Sequence, residues 1–159
     1  MEQMQDYVKE EKSIVYLEDK PFILNLGEEN KIRMFGSPWT AIYGKPGKAF
    51  QIPPSDLLDK WQLIPPSTDL LITHMPPFGI RDVNTGRVRS GCKDLAKIVL
   101  EKIKPRIHVF GHIHESHGWE VHKNTTFINA ASRKPKSKVL QSPILVDYYL
   151  DGSKVEVVQ

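Results

Sequence analysis

The chain has 159 residues, 40% hydrophobic and 26% charged, with a formal charge of +3 and one cysteine. That length holds a core of its own, and the composition excludes collagen-like repetition and extended disorder, so one domain over residues 1–159 is expected. The charge is too small and too dispersed to make nucleic acid the default partner; one cysteine excludes an internal disulfide framework, and no apolar run is long enough for a membrane span.

The N-terminal stretch "MEQMQDYVKEEKS" is acidic and polar, without the apolar core of a secretory signal or the Arg-rich look of a transit peptide. A soluble intracellular protein is the expectation, cytoplasmic by default, with an organelle left open. β-Type runs follow: "SIVYL" (13–17), "PFILNL" (21–26) and "KIRMFG" (31–36). After a Gly- and Pro-rich loop over 42–54, "IPPS" opens a helix. Ser55 is placed to cap its orphan N–H groups, Leu57, Leu58 and Trp61 form one apolar face, and Pro65 with Pro66 ends it.

"DLLITH" (69–74) is the next strand, and the irregular stretch 75–90 follows it. A second helix is expected from about Cys92 to Lys102, where Leu95, Ile98, Val99 and Ile103 lie at helical spacing ahead of Pro105. "IHVFG" (107–111), "TTFINA" (125–130), "PILVDYYL" (143–150) and "KVEVV" (154–158) complete the β-type runs, and "RKPKSK" (133–138) is expected as a solvated basic loop. Strand, helix, strand over 69–111 predicts parallel neighbours joined by a right-handed crossover. His74 and His112 then fall at the carboxyl ends of two strands, where open α/β sheets place their ligand crevices. The stretch 75–90 starts beside that crevice and is placed to form a wall of it.

"GHIHESHG" (111–118) packs three histidines into eight residues. In an extended segment His112 and His114, two residues apart, project to the same side, and Gly111 lets the backbone turn. With His74, three neutral nitrogen donors can converge on one Zn²⁺, Mn²⁺ or Fe²⁺ ion; the alternative, a chance surface cluster, stays open. His108 reads as a satisfied core histidine, His117 and His122 as exposed side chains or as donors to the metal-binding groups, and Cys92 as a buried, inert thiol.

"LITHMPP", then "GC" before a helix, "IKPRIHVFGHIHESHG" and "TTFINAAS" together resemble the calcineurin-like metallophosphoesterase superfamily. Through "FGSPW" and "DLLDKWQLIPPSTDLLITHMPP" the chain is similar, more narrowly, to the metallophosphoesterase-domain-containing proteins. The resemblance runs from about Ser13 to Asp147. It implies an α/β fold, the C-terminal half of a two-layer β-sandwich flanked by helices, with a dinuclear centre that hydrolyses phosphoesters. On that pattern His74 and His112 would bind the second metal and His114 the first, while Gly91 and Cys92 would lie on the substrate side. Asn129 matches a recurrent position to which no role is assigned.

The family's N-terminal motifs, an Asp-x-His pair, Gly-Asp-x-x-Asp and Gly-Asn-His-Asp/Glu, do not occur, and no histidine precedes His74. The chain is expected to begin just after them. Two divalent ions about 3.5 Å apart repel by roughly 19 kcal/mol at an effective dielectric of about 20, which bridging anions normally offset. Three imidazoles bring no such charge, and Glu115 and Asp82 are the only carboxylates nearby in sequence. A single divalent transition metal (Zn, Mn or Fe) is therefore the cofactor expectation, with no complete dinuclear site from this chain alone and no catalytic residue assigned. A protein partner is expected over the sheet face left bare: a second copy, a separate N-terminal half or a larger assembly. The functional expectation is a degenerate, non-catalytic structural or interaction subunit; the alternative is a metal-dependent phosphoesterase, for phosphomonoesters or cyclic-nucleotide phosphodiesters, completed by another chain.

Overall fold

The computed structural model describes residues 14–44 and 47–158. Its strands are β1 (Lys20–Asn25), β2 (Lys31–Ser37), β3 (Thr40–Ala41), β4 (Gln51–Ile52), β5 (Leu70–Thr73), β6 (Ile107–Phe110), β7 (Gly118–His122), β8 (Thr125–Asn129), β9 (Leu145–Tyr148) and β10 (Val155–Val158). Two helical segments stand among them: α1 (Leu57–Gln62), and α2 (Lys93–Lys97), which continues as a π-helical turn over Ile98–Ile103. Six strands form one sheet in the order β1-β2-β5-β6-β8-β7. The inner pairs β2–β5, β5–β6 and β6–β8 are parallel, and each outer pair is antiparallel. The architecture is a mixed α/β fold. Among the described residues no helix is long and apolar enough to cross a membrane.

Strand alternation decides which residues face the helices. Phe35, Leu71, Phe110 and Phe127 project to one side and pack with Leu57 and Trp61 of α1 and Leu95 and Val99 of α2. The expected stripe on α2 is buried at all four positions. Cys92 sits at the N-cap, its sulfur accepting from the Leu95 N–H at 3.5 Å and from the Trp61 indole N–H at 3.2 Å. Lys104, in the left-handed region at φ 51°, closes the π-helical turn ahead of Pro105.

Several local expectations are corrected. Residues 14–17 of "SIVYL" form no strand, and Ser13 lies outside the described residues. Leu17 instead lies over β2: a Cβ at Gly36 would come within 2.4 Å of its own, so only glycine lets the segment cross there. Ser55 caps nothing; its hydroxyl donates to Asp56 within a 3-10 turn, Pro54–Asp56, that precedes α1. Leu58 faces outward from α1, beyond the helix face that buries Leu57 and Trp61. β7 was not expected, and neither was the short parallel pairing of β3, just before the 42–54 loop, with β4 inside it.

The other sheet face is covered in two places. Leu17 covers β2 at Gly36, and the β9–β10 hairpin is tied to the start of β6, where Arg106 donates to the Lys154 carbonyl and lies 4.1 Å over the Tyr148 ring. Ile32, Ile107 and Ile128 are buried on this face, whereas Ile72 is 36% exposed in a cleft that Val15 and Leu17 also line.

Candidate functional site

β5 and β6 end side by side, and a backbone bond from the Gly111 N–H to the His74 carbonyl, 3.1 Å, ties their exits together. The chain then turns sharply. His112 has φ 68° and the Ile113 N–H returns to the Gly111 carbonyl at 2.8 Å, a three-residue γ-turn centred on the histidine. The extended geometry expected for "GHIH" is absent, and the left-handed residue is His112 rather than Gly111, because the turn aims the ring back across the strand ends. His74 Nε2 and His112 Nδ1 come within 2.9 Å, with ring centroids 4.8 Å apart and planes at 70°. His114 opens a 3-10 turn, His114–Ser116, and lines the same cavity.

That cavity, about 500 Å³, is lined by Thr40, Tyr43, Lys48, Ala49, Gln51, the three histidines, Ala130, Ala131 and Ser132. A second cavity of about 340 Å³ adjoins it across Thr40, Tyr43, His112 and His114 and extends to Ile42, Met75, Asn84, Thr85, Ser90, Glu115 and Lys136. The stretch 75–90 therefore does form one wall, and the "RKPKSK" loop contributes Pro135 and Lys136 to another.

Burial holds both paired imidazoles neutral. It lowers the His74 pKa, and at His112 burial, followed by the like charges of His74, His114 and Lys48, brings the pKa down to about 4. A neutral pair shares one N–H, one ring donating and the other accepting.

The scaffold behind this pair was largely hidden in the sequence. Asn129, fully buried at the end of β8, donates to the carbonyls of Ile113 (2.9 Å) and Arg81 (3.0 Å) and accepts from the Ala131 N–H (3.0 Å). It thus locks the His112–His114 turn to the 75–90 wall. Gln141 donates to the His114, Ala131 and Arg133 carbonyls, and Ser116 exchanges two bonds with the Val83 backbone. Nothing in the local pattern around Gln141 or Ser116 marks them, since each bond spans a long sequence separation or caps an irregular carbonyl.

The two nearby carboxylates do not serve the histidines alike. Asp82 is fully buried and accepts from the Gly79 and Gly91 N–H groups and from Arg89, which braces the loop. Glu115 is exposed and takes the Thr85 hydroxyl; that bond lowers its pKa. Gly91 and Cys92 line a neighbouring cavity with Phe78 and Leu57, not the histidine cavity. A Cβ at Gly91 would stand 2.5 Å from the Pro77 carbonyl oxygen, which accounts for the glycine by packing. His108 is fully buried; because the Thr73 hydroxyl donates to the Met75 carbonyl, His108 Nε2–H donates to Thr73 at 2.9 Å, and Nδ1 has no partner among the described residues. His122 is exposed, as expected, and His117 is half-buried.

Among the described residues no three His, Cys, Asp or Glu side chains gather into a metal-holding group, and no carboxylate lines the histidine cavity. A dinuclear centre does not fit this donor set, which lacks the anionic charge that would offset two divalent ions.

No family model matches the chain. It is 38% identical over 135 residues to human metallophosphoesterase domain-containing protein 1, covering 84% of this chain and 39% of that protein. A UPF0046 protein of Caenorhabditis elegans is 36% identical over 146 residues, covering 89% of this chain and 49% of its own length. One solved crystal structure shares the fold at TM-score 0.62 and 15% identity, matching 98% of this chain and 58% of that one. The pairing of strand-end histidines, the parallel crossover before them and these relatives converge: the chain belongs to the metallophosphoesterase-domain-containing proteins and spans half or less of the length of the curated relatives it matches.

Proposed function

We propose that this chain acts as a non-catalytic structural or interaction subunit built on a metallophosphoesterase fold. One observation supports the reading: among the described residues, the cavity where the histidines meet is lined by imidazoles, hydroxyls and a lysine and by no carboxylate. Phosphoester hydrolysis by paired metals needs bridging and terminal anions that this lining does not supply. The partner would settle on the sheet face where Ile72 lies open; a second copy, a polypeptide carrying the remaining half of the family domain and a larger assembly each satisfy that requirement.

A second reading is favoured by the 2.9 Å approach of His74 to His112, a constellation that a purely structural protein has no need to keep. On it, the chain contributes His74, His112 and His114 to a phosphoesterase whose carboxylates come from another polypeptide. Phosphatase and phosphodiesterase assays on the purified chain with added Mn²⁺, together with elemental analysis, separate the two. The expected outcome is no turnover above the blank and no stoichiometric metal. Turnover that His112→Ala abolishes would overturn the non-catalytic reading.

A further inference from the structure

We propose that the hairpin over 132–141 docks the chain on an anionic lipid surface, its cations meeting the headgroups while Val139 and Leu140 enter the edge of the hydrocarbon. The inference goes beyond the subunit role and needs neither a protein partner nor turnover.

The hairpin is held by its own backbone. Arg133 pairs with Leu140, the Gln141 N–H donates to the Ser132 carbonyl at 2.9 Å, and the Lys134 N–H donates to the Val139 carbonyl at 3.0 Å. Inside the turn the Ser137 N–H donates to the Lys134 carbonyl at 3.2 Å and the Val139 N–H to the Ser137 hydroxyl oxygen at 3.0 Å. Its side chains are therefore positioned without packing on the body: Arg133, Lys134, Lys136, Lys138, Val139 and Leu140 are all exposed. Over 121–146 the sequence carries five cations and no carboxylate. Among the described residues none of the hairpin's four cations forms an ion pair. Glu115, which lines the same cavity as Lys136, is engaged by the Thr85 hydroxyl instead.

Charge alone would suit any polyanion, and the exposed apolar groups select among them. Val139 is 55% and Leu140 68% exposed beside the lysines, and Tyr43, 70% exposed, shares the lining of one cavity with Pro135 and Lys136. Cations next to exposed aliphatic and tyrosine side chains match the interface of an acidic bilayer, which presents phosphate and carboxylate at one depth and hydrocarbon just beneath. Nucleic acid would neutralise the lysines and leave Val139 and Leu140 in water. Docking of this kind is peripheral and reversible.

Cosedimentation of the full chain with large unilamellar vesicles tests the proposal. In about 0.1 M NaCl the chain is expected to pellet with phosphatidylcholine vesicles that contain about 30% phosphatidylserine, and to stay in solution with phosphatidylcholine alone. Lys134→Gln, Lys136→Gln and Lys138→Gln together are expected to weaken partitioning about a hundredfold, about fivefold for each lysine. Val139→Ser with Leu140→Ser is expected to weaken it about tenfold at unchanged charge. All five positions are exposed, so far-UV circular dichroism should report an unchanged fold in both variants. Equal partitioning to the two kinds of vesicle, none to either included, or undiminished binding by the folded triple variant overturns the proposal. Undiminished binding by the serine variant, or release of the bound chain by single-stranded DNA at equal phosphate concentration, overturns the assignment to lipid.

Discussion

Asn129 makes three buried hydrogen bonds, to partners 48, 16 and 2 positions away, and these bonds connect the histidine turn to its wall. Asn129→Leu preserves the bulk but leaves the Arg81 carbonyl and the Ala131 N–H unpaired, while the Ile113 carbonyl keeps only the Ser116 N–H; at about 1–3 kcal/mol for each unpaired group, a loss of about 2–6 kcal/mol is expected in urea unfolding. Ring resonances of His112 and His114 should broaden in the same variant, because the turn that carries them loses its anchor. The sequence marks Asn129 only through the family resemblance, because its partners lie on a different loop and a different turn. The three site histidines were legible for the opposite reason: spacing and strand ends are local properties. Their spacing placed them at one cavity but with the wrong geometry, since period-two alternation applies to extended chain and His112 sits at φ 68°.

At the scale of elements, the parallel crossover from β5 through α2 to β6 was legible because an apolar stripe at helical spacing separates two β-type runs. Edge features were not. β7, "GWEVH", carries two exposed apolar residues, Trp119 and Val121, and owes its strand to pairing with β8 rather than to a burial pattern of its own. "SIVYL" shows the reverse: strong β propensity with no ladder to join, because Leu17 spends its apolar surface on the bare backbone of Gly36. Ser55 fails as a cap because it sits inside the 3-10 turn Pro54–Asp56, which puts Asp56 rather than Ser55 at the N-cap position of α1.

For the molecule as a whole, buried neutral histidine links stability to pH. His108 has its pKa pushed down to about 3 by burial, so between that value and 6.5 the unfolded chain binds a proton that the folded chain refuses. Its contribution is full above pH 6.5 and is lost as pH falls, at about 1.4 kcal/mol per pH unit within the window. His112, lowered to about 4, acts in the same direction over a narrower range. Urea midpoints measured between pH 7.5 and 5 should therefore fall steadily. His108→Gln, which does not titrate, should flatten the slope, and an unchanged slope would show that other groups govern the acid limb.

The γ-turn at His112 has one more consequence. A side chain there carries torsional energy that a bare α-carbon does not, of the order of 1–2 kcal/mol for a left-handed residue with a Cβ. Alanine and glycine both erase the imidazole, yet they should part company in a melting experiment, with His112→Gly the more heat-resistant of the two. The imidazole at this turn is thus held in place at a conformational cost that glycine would remove.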